Sequence, residues 1–281
     1  TKKAKETGGD LDFVALQGHD FSMRGMTGPE AAAMSGASHL LSFLGTDCVP
    51  SIDLLEEYYN ADSDNEIVGL TVPATEHSVM CMGTDVGEID TFKRLITEIY
   101  PNGIVSIVSD TWDLWQVLTD YLPKLKNEIL ARDGKVVIRP DSGDPVDIIC
   151  GEAIAGKLNR DQSGRAYPDN PEDLANWNKT YFAGKNYYVI SDPDGAHAEW
   201  DTTKPQPKHK GVVELLWDLF GGTINDKGFK VLDPHIGAIY GDSITPERAE
   251  AICDRLAAKG FASTNVVFGI GSYTYQYVTR D

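Results

Sequence analysis

The side chains able to do chemistry in this sequence fall in short clusters, each directly after an apolar, β-rich run. Gly18-His19-Asp20-Phe21, with Arg24 behind it, follows the first run, and Gly45-Thr46-Asp47 follows the second. Pro73-Ala74-Thr75-Glu76-His77, Ser109-Asp110 and Arg139-Pro140-Asp141-Ser142-Gly143 close the next three. Gly241-Asp242-Ser243 and Gly269-Ile270-Gly271-Ser272 close the last two. Three kinds of chemistry are on offer. Gly269-x-Gly271-Ser272, between a strand and a helix, bares backbone N–H groups at a positive helix end and suits a phosphate. Gly241-Asp242, one unit earlier, makes a second turn of that kind, although plain tight turns explain the glycines equally well. Arg139 and Asp141, two residues apart in an extended segment, lean to the same side, setting a guanidinium fork beside a carboxylate. A structural ion pair is the competing explanation. His77, next to Glu76 and one strand away from Asp110, is a candidate base or nucleophile, since carboxylates that hold an imidazole strengthen it in both roles. A structurally satisfied histidine is the alternative there. Asp, Ser and Thr before helices also act as caps, which accounts for Ser109 or Ser243 taken alone; Arg24, His77 and Arg139 are not N-cap residues.

The elements that must position these clusters follow a strand, polar turn, helix rhythm. Strand-like runs are VALQ (14–17), LLSFL (40–44), IVGLTV (67–72), IVSIV (104–108), KVVI (135–138), IGAIY (236–240) and NVVF (265–268). Thr27 with Glu30 has capping-box spacing, and Thr245-Pro246 opens a helix with proline in its first turn. Residues 111–132 read as a long helix broken at Pro123. Short buried strands alternating with helices imply a parallel sheet, and about seven units suggest a (β/α)-barrel before an open doubly wound sheet. All the clusters would then share the mouth where barrel enzymes place their chemistry. One interval, Arg139 to Gly241, is far too long for a single unit. Its Pro-, Gly-, Asn- and Asp-rich stretches mark residues 158–230 as an inserted excursion with a strand at NYYVIS and a helix at GVVELLWDLF.

The chain has 281 residues, with 25 Lys plus Arg against 43 Asp plus Glu and a net charge of −18. That field argues against nucleic acid or an anionic membrane as partner, but a local arginine or a ring of N–H groups still holds a phosphate. Cys48, Cys81, Cys150 and Cys253 form no C-x-x-C pair, so reduced core thiols are expected rather than disulfides or zinc. No apolar run approaches the roughly 20 residues of a membrane span, and no signal peptide is visible, so a cytoplasmic setting is expected. The chain starts at Thr1 rather than Met and stops soon after the Gly269–Ser272 turn. A piece of a longer polypeptide, one catalytic domain over 1–281 that is incomplete at both ends, is therefore expected.

Taken together, the strings HDFSMRG, FLGTD, VPATEHS, VSIVSD, VVIRPDSGDP, IYGDS and FGIGS…TRD resemble the nicotinamide phosphoribosyltransferase family in order and spacing, from about Gly9 to Asp281 apart from the insertion. The resemblance implies a (β/α)-barrel-like phosphoribosyltransferase domain that lacks part of a second α/β domain, and a homodimer. It also implies transfer of phosphoribosyl from 5-phosphoribosyl-1-pyrophosphate to nicotinamide in NAD biosynthesis, with Mg²⁺ and with ATP acting through a phosphohistidine.

By the same resemblance His77 is the residue that ATP phosphorylates, with Glu76 and Asp110 orienting it. Phe21 stacks on the pyridine ring, Asp47 accepts from the carboxamide NH₂, and Ser106 and Arg139 lie around that amide. Arg24, Asp141, Gly241 and Asp242 surround the ribose and its phosphates, with Asp141 also a candidate in the Mg²⁺ shell. Gly271, Ser272 and Arg280 hold the 5′-phosphate. The sequence departs from the family pattern at Gly237, where an arginine is expected, and in its last phosphate turn. Three alternatives stay open: a nicotinate phosphoribosyltransferase, a catalytically incomplete fragment that binds phosphoribosyl ligands, and an unrelated barrel enzyme acting on a phosphorylated sugar.

Overall fold

The computed structural model describes residues 1–152 and 207–275 and, between them, the strands Leu158–Arg160, Ala166–Pro168, Lys179–Phe182, Lys185–Asp192 and Gly195–Trp200. A curled, six-stranded parallel sheet organises the α/β core. Its order across the sheet is Gly45–Thr46, Gly18–Asp20, Val266–Ile270, Ile236–Tyr240, Asp133–Arg139 and Asn102–Val108. From Asn102–Val108 onward each strand lies beside its predecessor in the chain, Gly45–Thr46 lies beside Gly18–Asp20, and the last strand lies beside the first, through the pairs Gly18↔Phe268, His19↔Gly269 and Asp20↔Ile270. Residues 70–75 link the two edge strands. Thr46 N–H donates to the Leu70 carbonyl at 2.9 Å, and at the far end Thr75 N–H donates to the Ser106 carbonyl at 3.0 Å.

Period-two alternation decides which residues face the helices and which face the interior of the curl. Val105, Ile107, Val136 and Ile138 are fully buried in the helix-facing core. Their neighbours Ile104, Ser106, Lys135 and Val137 line the interior. The helical layer opposite contributes Val117, Leu122, Ile129, Leu216 and Ile252, each without exposed surface. Burying one such side chain stabilises by about 1.5–3 kcal/mol, so the strands are fixed by both the sheet ladder and this layer.

Local sequence explains several elements and corrects several expectations. Thr245 caps Pro246–Ala258 as its sequence suggests, its hydroxyl accepting from Arg248 N–H. Thr27 does not take the cap of the next helix to its N-terminal side. That helix runs Pro29–His39 with Gly28 at the N-cap, and proline supplies the preset first turn. Pro123 does not break its helix either. Asp113 caps the start, a π-turn spans Val117–Tyr121, and Leu122–Leu130 continues with Pro123 in its first turn. The π-turn shifts the hydrogen-bond register just where the proline ring removes a donor. VALQ is not a strand: Asp12–Leu16 is a 3₁₀ helix and pairing begins at Gly18. LLSFL likewise precedes its strand, Gly45–Thr46, and IVGLTV pairs only through single bridges.

Strands of the 153–206 interval form a five-stranded antiparallel sheet, and NYYVIS lies in Lys185–Asp192. The chain leaves and returns through a clasp. Glu152 N–H donates to the Lys208 carbonyl at 3.0 Å. A Cβ built on Gly211, whose φ is 78°, would fall 2.1 Å from Gly151 N, so only glycine admits this approach. Helix Pro207–Phe220, assigned to the excursion from sequence, buries Val212, Val213 and Leu216 in the main core. Cys48, Cys150 and Cys253 are buried free thiols, whereas Cys81 is exposed, against the expectation of a core position. Among the described residues no helix is long and apolar enough to cross a membrane.

Candidate active site

Strand ends bring the polar clusters together at one rim of the curled sheet. A cavity of about 550 Å³ opens there and runs down inside the curl, lined at its mouth by His19, Phe21, Asp47, Thr71, Ala74 and Ser106. Phe21 N–H donates to the Ile270 carbonyl, which fixes the aromatic side chain at the lip. The His19 and Phe21 rings lie 4.5 Å apart between centroids, tilted by 35°. The Arg139 guanidinium carbon sits 5.8 Å from the centre of the Phe21 ring. Phe21 thus presents an aromatic face with a cation at one side.

Asp47 lies at the neighbouring strand end, its N–H donating to the Asp20 carbonyl at 2.9 Å. Its Oδ1 accepts from His19 Nε2 at 2.9 Å and from Thr71 Oγ1 at 2.6 Å. Burial pushes the Asp47 carboxyl up, but the hydrogen bonds from His19 and Thr71 and the charges of His19 and Arg139 outweigh it and hold the group below its ordinary range. Asp47 is therefore a carboxylate at neutral pH.

His77 opens the helix His77–Cys81, and its imidazole lies between two carboxylates. Nε2 is 3.2 Å from Asp110 Oδ1, and Nδ1 is 3.9 Å from Asp141 Oδ2. Asp110 is itself fixed, because its Oδ2 accepts from the backbone N–H groups of Asp141 at 2.8 Å and Ser142 at 2.7 Å. The histidine side chain is 45% exposed and Asp110 only 7%, so the ring faces solvent while its partner is sheltered. Glu76, expected to orient His77, instead meets Arg24 at 3.7 Å, and both of those side chains are exposed.

Arg139 donates to the Thr75 carbonyl at 2.6 Å and lies 3.8 Å, through Nε, from Asp141 Oδ1. That gap is too long for a hydrogen bond. Arg139 Nε, Asp141 Oδ1 and Ser106 Oγ are all buried without a hydrogen-bond partner. Unpartnered buried groups are rare in folded proteins, and here Ser106 lines the cavity while Arg139 and Asp141 pair beside its Phe21 wall, which marks a place for a polar ligand. Burial pushes the Asp141 carboxyl up; Arg139 and His77 oppose this, Asp110 and Asp242 add to it, and the net position is above the ordinary value.

The glycine turns pack against these groups. A Cβ on Gly241 would lie 1.6 Å from Asp141 Oδ1, and one on Gly271 would lie 2.0 Å from Asp242 Oδ1. Asp242 Oδ1 also accepts from Ser243 N–H at 2.6 Å. Ser272 opens the short helix Ser272–Tyr275 and touches the Arg24-Gly25 turn, where a Cβ on Gly25 would meet its Oγ at 2.1 Å. Arg280 lies outside the described residues. Ser109 and Ser243 do not act as helix caps: Ser109 Oγ donates to the Ile107 carbonyl, and Ser243 adopts φ of 60°.

The model of the nicotinate phosphoribosyltransferase (NAPRTase) family matches residues 16–281. The chain belongs to this family. It is 51% identical over 287 residues to a nicotinamide phosphoribosyltransferase of Acinetobacter baylyi, an alignment covering 100% of this chain and 47% of that protein. A nicotinamide phosphoribosyltransferase of Mycoplasma pneumoniae is 36% identical over 278 residues, covering 99% of this chain and 48% of that protein. The protein of that name from Mycoplasma genitalium is 32% identical over 280 residues, covering 100% and 48%. The chain thus spans about half the length of the curated relatives it matches.

Within this NAPRTase-family site, sequence reasoning passed over His19, Thr71 and Thr75, which hold Asp47 and Arg139. His19 was legible only as part of a polar string; strand alternation turns it into the cavity and its neighbour Asp20 away. It also passed over Glu88, which is 1% exposed with Oε1 unpartnered. Burial, then the charges of Asp113 and Asp110, push the Glu88 carboxyl up to about 7.

Proposed function

We propose that this chain carries the (β/α)-barrel-like catalytic domain of a nicotinamide phosphoribosyltransferase, with the interval 158–230 as an insertion, working in the cytoplasm as part of a homodimer. The observation that carries the reading is the mouth itself: an aromatic face at Phe21, an ionised Asp47 on the neighbouring strand end, unpartnered Ser106 Oγ on the lining, and unpartnered Arg139 Nε and Asp141 Oδ1 beside Phe21. A flat ring bearing a carboxamide fits this set. Phe21 would stack on the pyridine, Asp47 would accept from the NH₂, and Ser106 and Arg139 would donate to the carbonyl oxygen. Nicotinate would set its carboxylate against Asp47, a repulsive contact in a partly dry pocket, so amide is favoured over acid.

Arg24, Asp141, Gly241 and Asp242 would surround the ribose and pyrophosphate of 5-phosphoribosyl-1-pyrophosphate, and Gly271, Ser272 and Arg280 its 5′-phosphate. The pyridine nitrogen lone pair forms the bond to C1′ while the electrons of the C1′–O bond leave with pyrophosphate, giving nicotinamide mononucleotide. Holding the two reactants in line contributes much of the rate, and Arg24 would counter the charge that grows on the leaving group. Asp141, a buried carboxylate oxygen without a partner, suits Mg²⁺, which takes one or two carboxylates plus substrate phosphates and water. Among the described residues no cluster of three His, Cys, Asp or Glu forms a protein-only metal cage. When bound, Mg²⁺ would neutralise the leaving pyrophosphate.

His77, exposed and braced by Asp110 from one side, would take the γ-phosphoryl group of ATP, coupling hydrolysis to synthesis. Asp110 would stabilise the charged ring and position it. The test mixes the native polypeptide with nicotinamide or nicotinate, 5-phosphoribosyl-1-pyrophosphate and Mg²⁺, with and without ATP, and measures mononucleotide. Amide turnover that ATP stimulates is expected, with label from γ-phosphate on the wild type and none on His77→Ala. Absence of turnover and label would overturn the reading in favour of a phosphoribosyl-binding fragment.

A further inference from the structure

We infer that His19 is a specificity-determining positioning residue, which sets the choice between carboxamide and carboxylate ligands through Asp47. The inference rests on the proposal that the Phe21 slot takes a pyridine carboxamide. Geometry supplies the argument. His19 and Thr71 both donate to the same oxygen of Asp47, Oδ1. Two donors on one oxygen lock the carboxylate's rotation and leave Oδ2 as the oxygen free to accept from a ligand. The His19 ring also packs at 4.5 Å on Phe21, so one imidazole fixes both the aromatic wall and the acceptor facing it. Its side chain is only 12% exposed, so the ring is held in place by the pocket wall.

A carboxylate accepts and never donates, so Nε2 of His19 carries the proton that bonds Asp47. Asp47, held below its ordinary range, stays the acceptor in that bond. A carboxylate left with Thr71 alone can turn about its Cβ–Cγ bond and no longer offers a carboxamide NH₂ one fixed oxygen. Discrimination between an NH₂ group and a second ligand oxygen then weakens, because it depends on which atom meets the fixed acceptor.

The test uses the native polypeptide and measures kcat and KM for nicotinamide and for nicotinate. His19→Ala should raise the nicotinamide KM about tenfold with kcat within about threefold, and narrow the preference for amide, because the ring slot loses its fixed acceptor. His19→Gln keeps a side-chain N–H donor and should recover most of the lost affinity and preference. A His19→Ala enzyme with wild-type KM and preference, or a His19→Gln enzyme no closer to wild type than His19→Ala, would overturn the inference even where nicotinamide is turned over normally. A wild type that processes neither pyridine would instead sink the underlying reading, and this inference with it. Should His19→Ala fail to fold, His19→Phe, which keeps a ring and offers no donor, takes its place in the comparison.

Discussion

Replacing Gly241 by alanine adds one methyl group at the point where the site is most tightly built. The new Cβ would fall 1.6 Å from Asp141 Oδ1, 2.7 Å from its Cγ and 3.3 Å from Arg139 Cγ. Carbon and oxygen settle no closer than about 3.5 Å, so the carboxylate must move by about 2 Å. It can do so, because it is the end of a side chain, and Gly241 is not among the residues with positive φ, so alanine suits the backbone. The fold should therefore survive with a loss of roughly 1 kcal/mol, the lower range for an overpacked site. Activity should not. The same carboxylate stands 3.8 Å from Arg139 and 3.9 Å from His77. Misplacement of a positioned group by about 1 Å can cost 10²-fold in rate, so a fall of at least about 10²-fold in kcat/KM is expected. Steady-state mononucleotide formation measures it, and thermal unfolding followed by circular dichroism shows whether the protein stays folded. If the methyl acts through Asp141, adding Gly241→Ala to Asp141→Ala should cost little more, since coupled residues are not additive. Gly237→Ala is the control: its Cβ meets Lys135 Cδ at 3.2 Å and no carboxylate. A Gly241→Ala enzyme within about threefold of wild type, or full additivity in the double variant, would refute the reasoning.

Asp47→Ser should relax the preference for amide over acid, bringing the two kcat/KM values together by about tenfold or more; unchanged relative rates on nicotinamide and nicotinate count against the role of Asp47. Asp110→Asn should leave the fold intact and reduce phosphoryl label on His77 by about tenfold, because the charged ring loses its ionic partner; label equal to wild type would contradict this. Glu88 carries a proton in the folded protein up to about pH 7, well above its ordinary value. The unfolded chain releases that proton at lower pH, so stability falls as pH rises from the ordinary glutamate range to about 7 and then levels off, by on the order of 3 kcal/mol in total. Glu88→Gln should remove that slope, and urea unfolding at acid and neutral pH would show it; an unchanged slope excludes Glu88 as its source.

The inner strands were legible because their helix-facing residues are fully buried and most of the others are apolar. IGAIY matches Ile236–Tyr240, and IVSIV and KVVI lie within Asn102–Val108 and Asp133–Arg139. The two strands nearest the ring slot were misplaced. Gly18–Asp20 and Gly45–Thr46 are short and hold no large apolar side chain, so their pairing comes from neighbours rather than from their own pattern. That polar strand ends would gather at one rim followed from the parallel rhythm. Which partner each would choose did not. Glu76 is adjacent to His77 in sequence yet meets Arg24, while Asp141, remote in sequence, reaches the imidazole through the turn that Asp110 holds. Such pairings depend on loop paths that no short spacing encodes.

The pairing of Gly18–Asp20 with Val266–Ile270 has a consequence for biosynthesis. Gln17 reaches the Ser263 and Val266 carbonyls, and Thr7 reaches Ser263, so the amino-terminal segment finds its partners almost 250 residues downstream. At roughly 5–20 residues per second, a ribosome needs on the order of 10–50 s to supply them. During that wait the early strand has only Gly45–Thr46 to pair with, and closure follows as a late, long-range step of the slow-folding kind. Handling by a chaperone would matter most in that window, and substitutions at Val266, buried in the core, would lengthen it without touching the cavity.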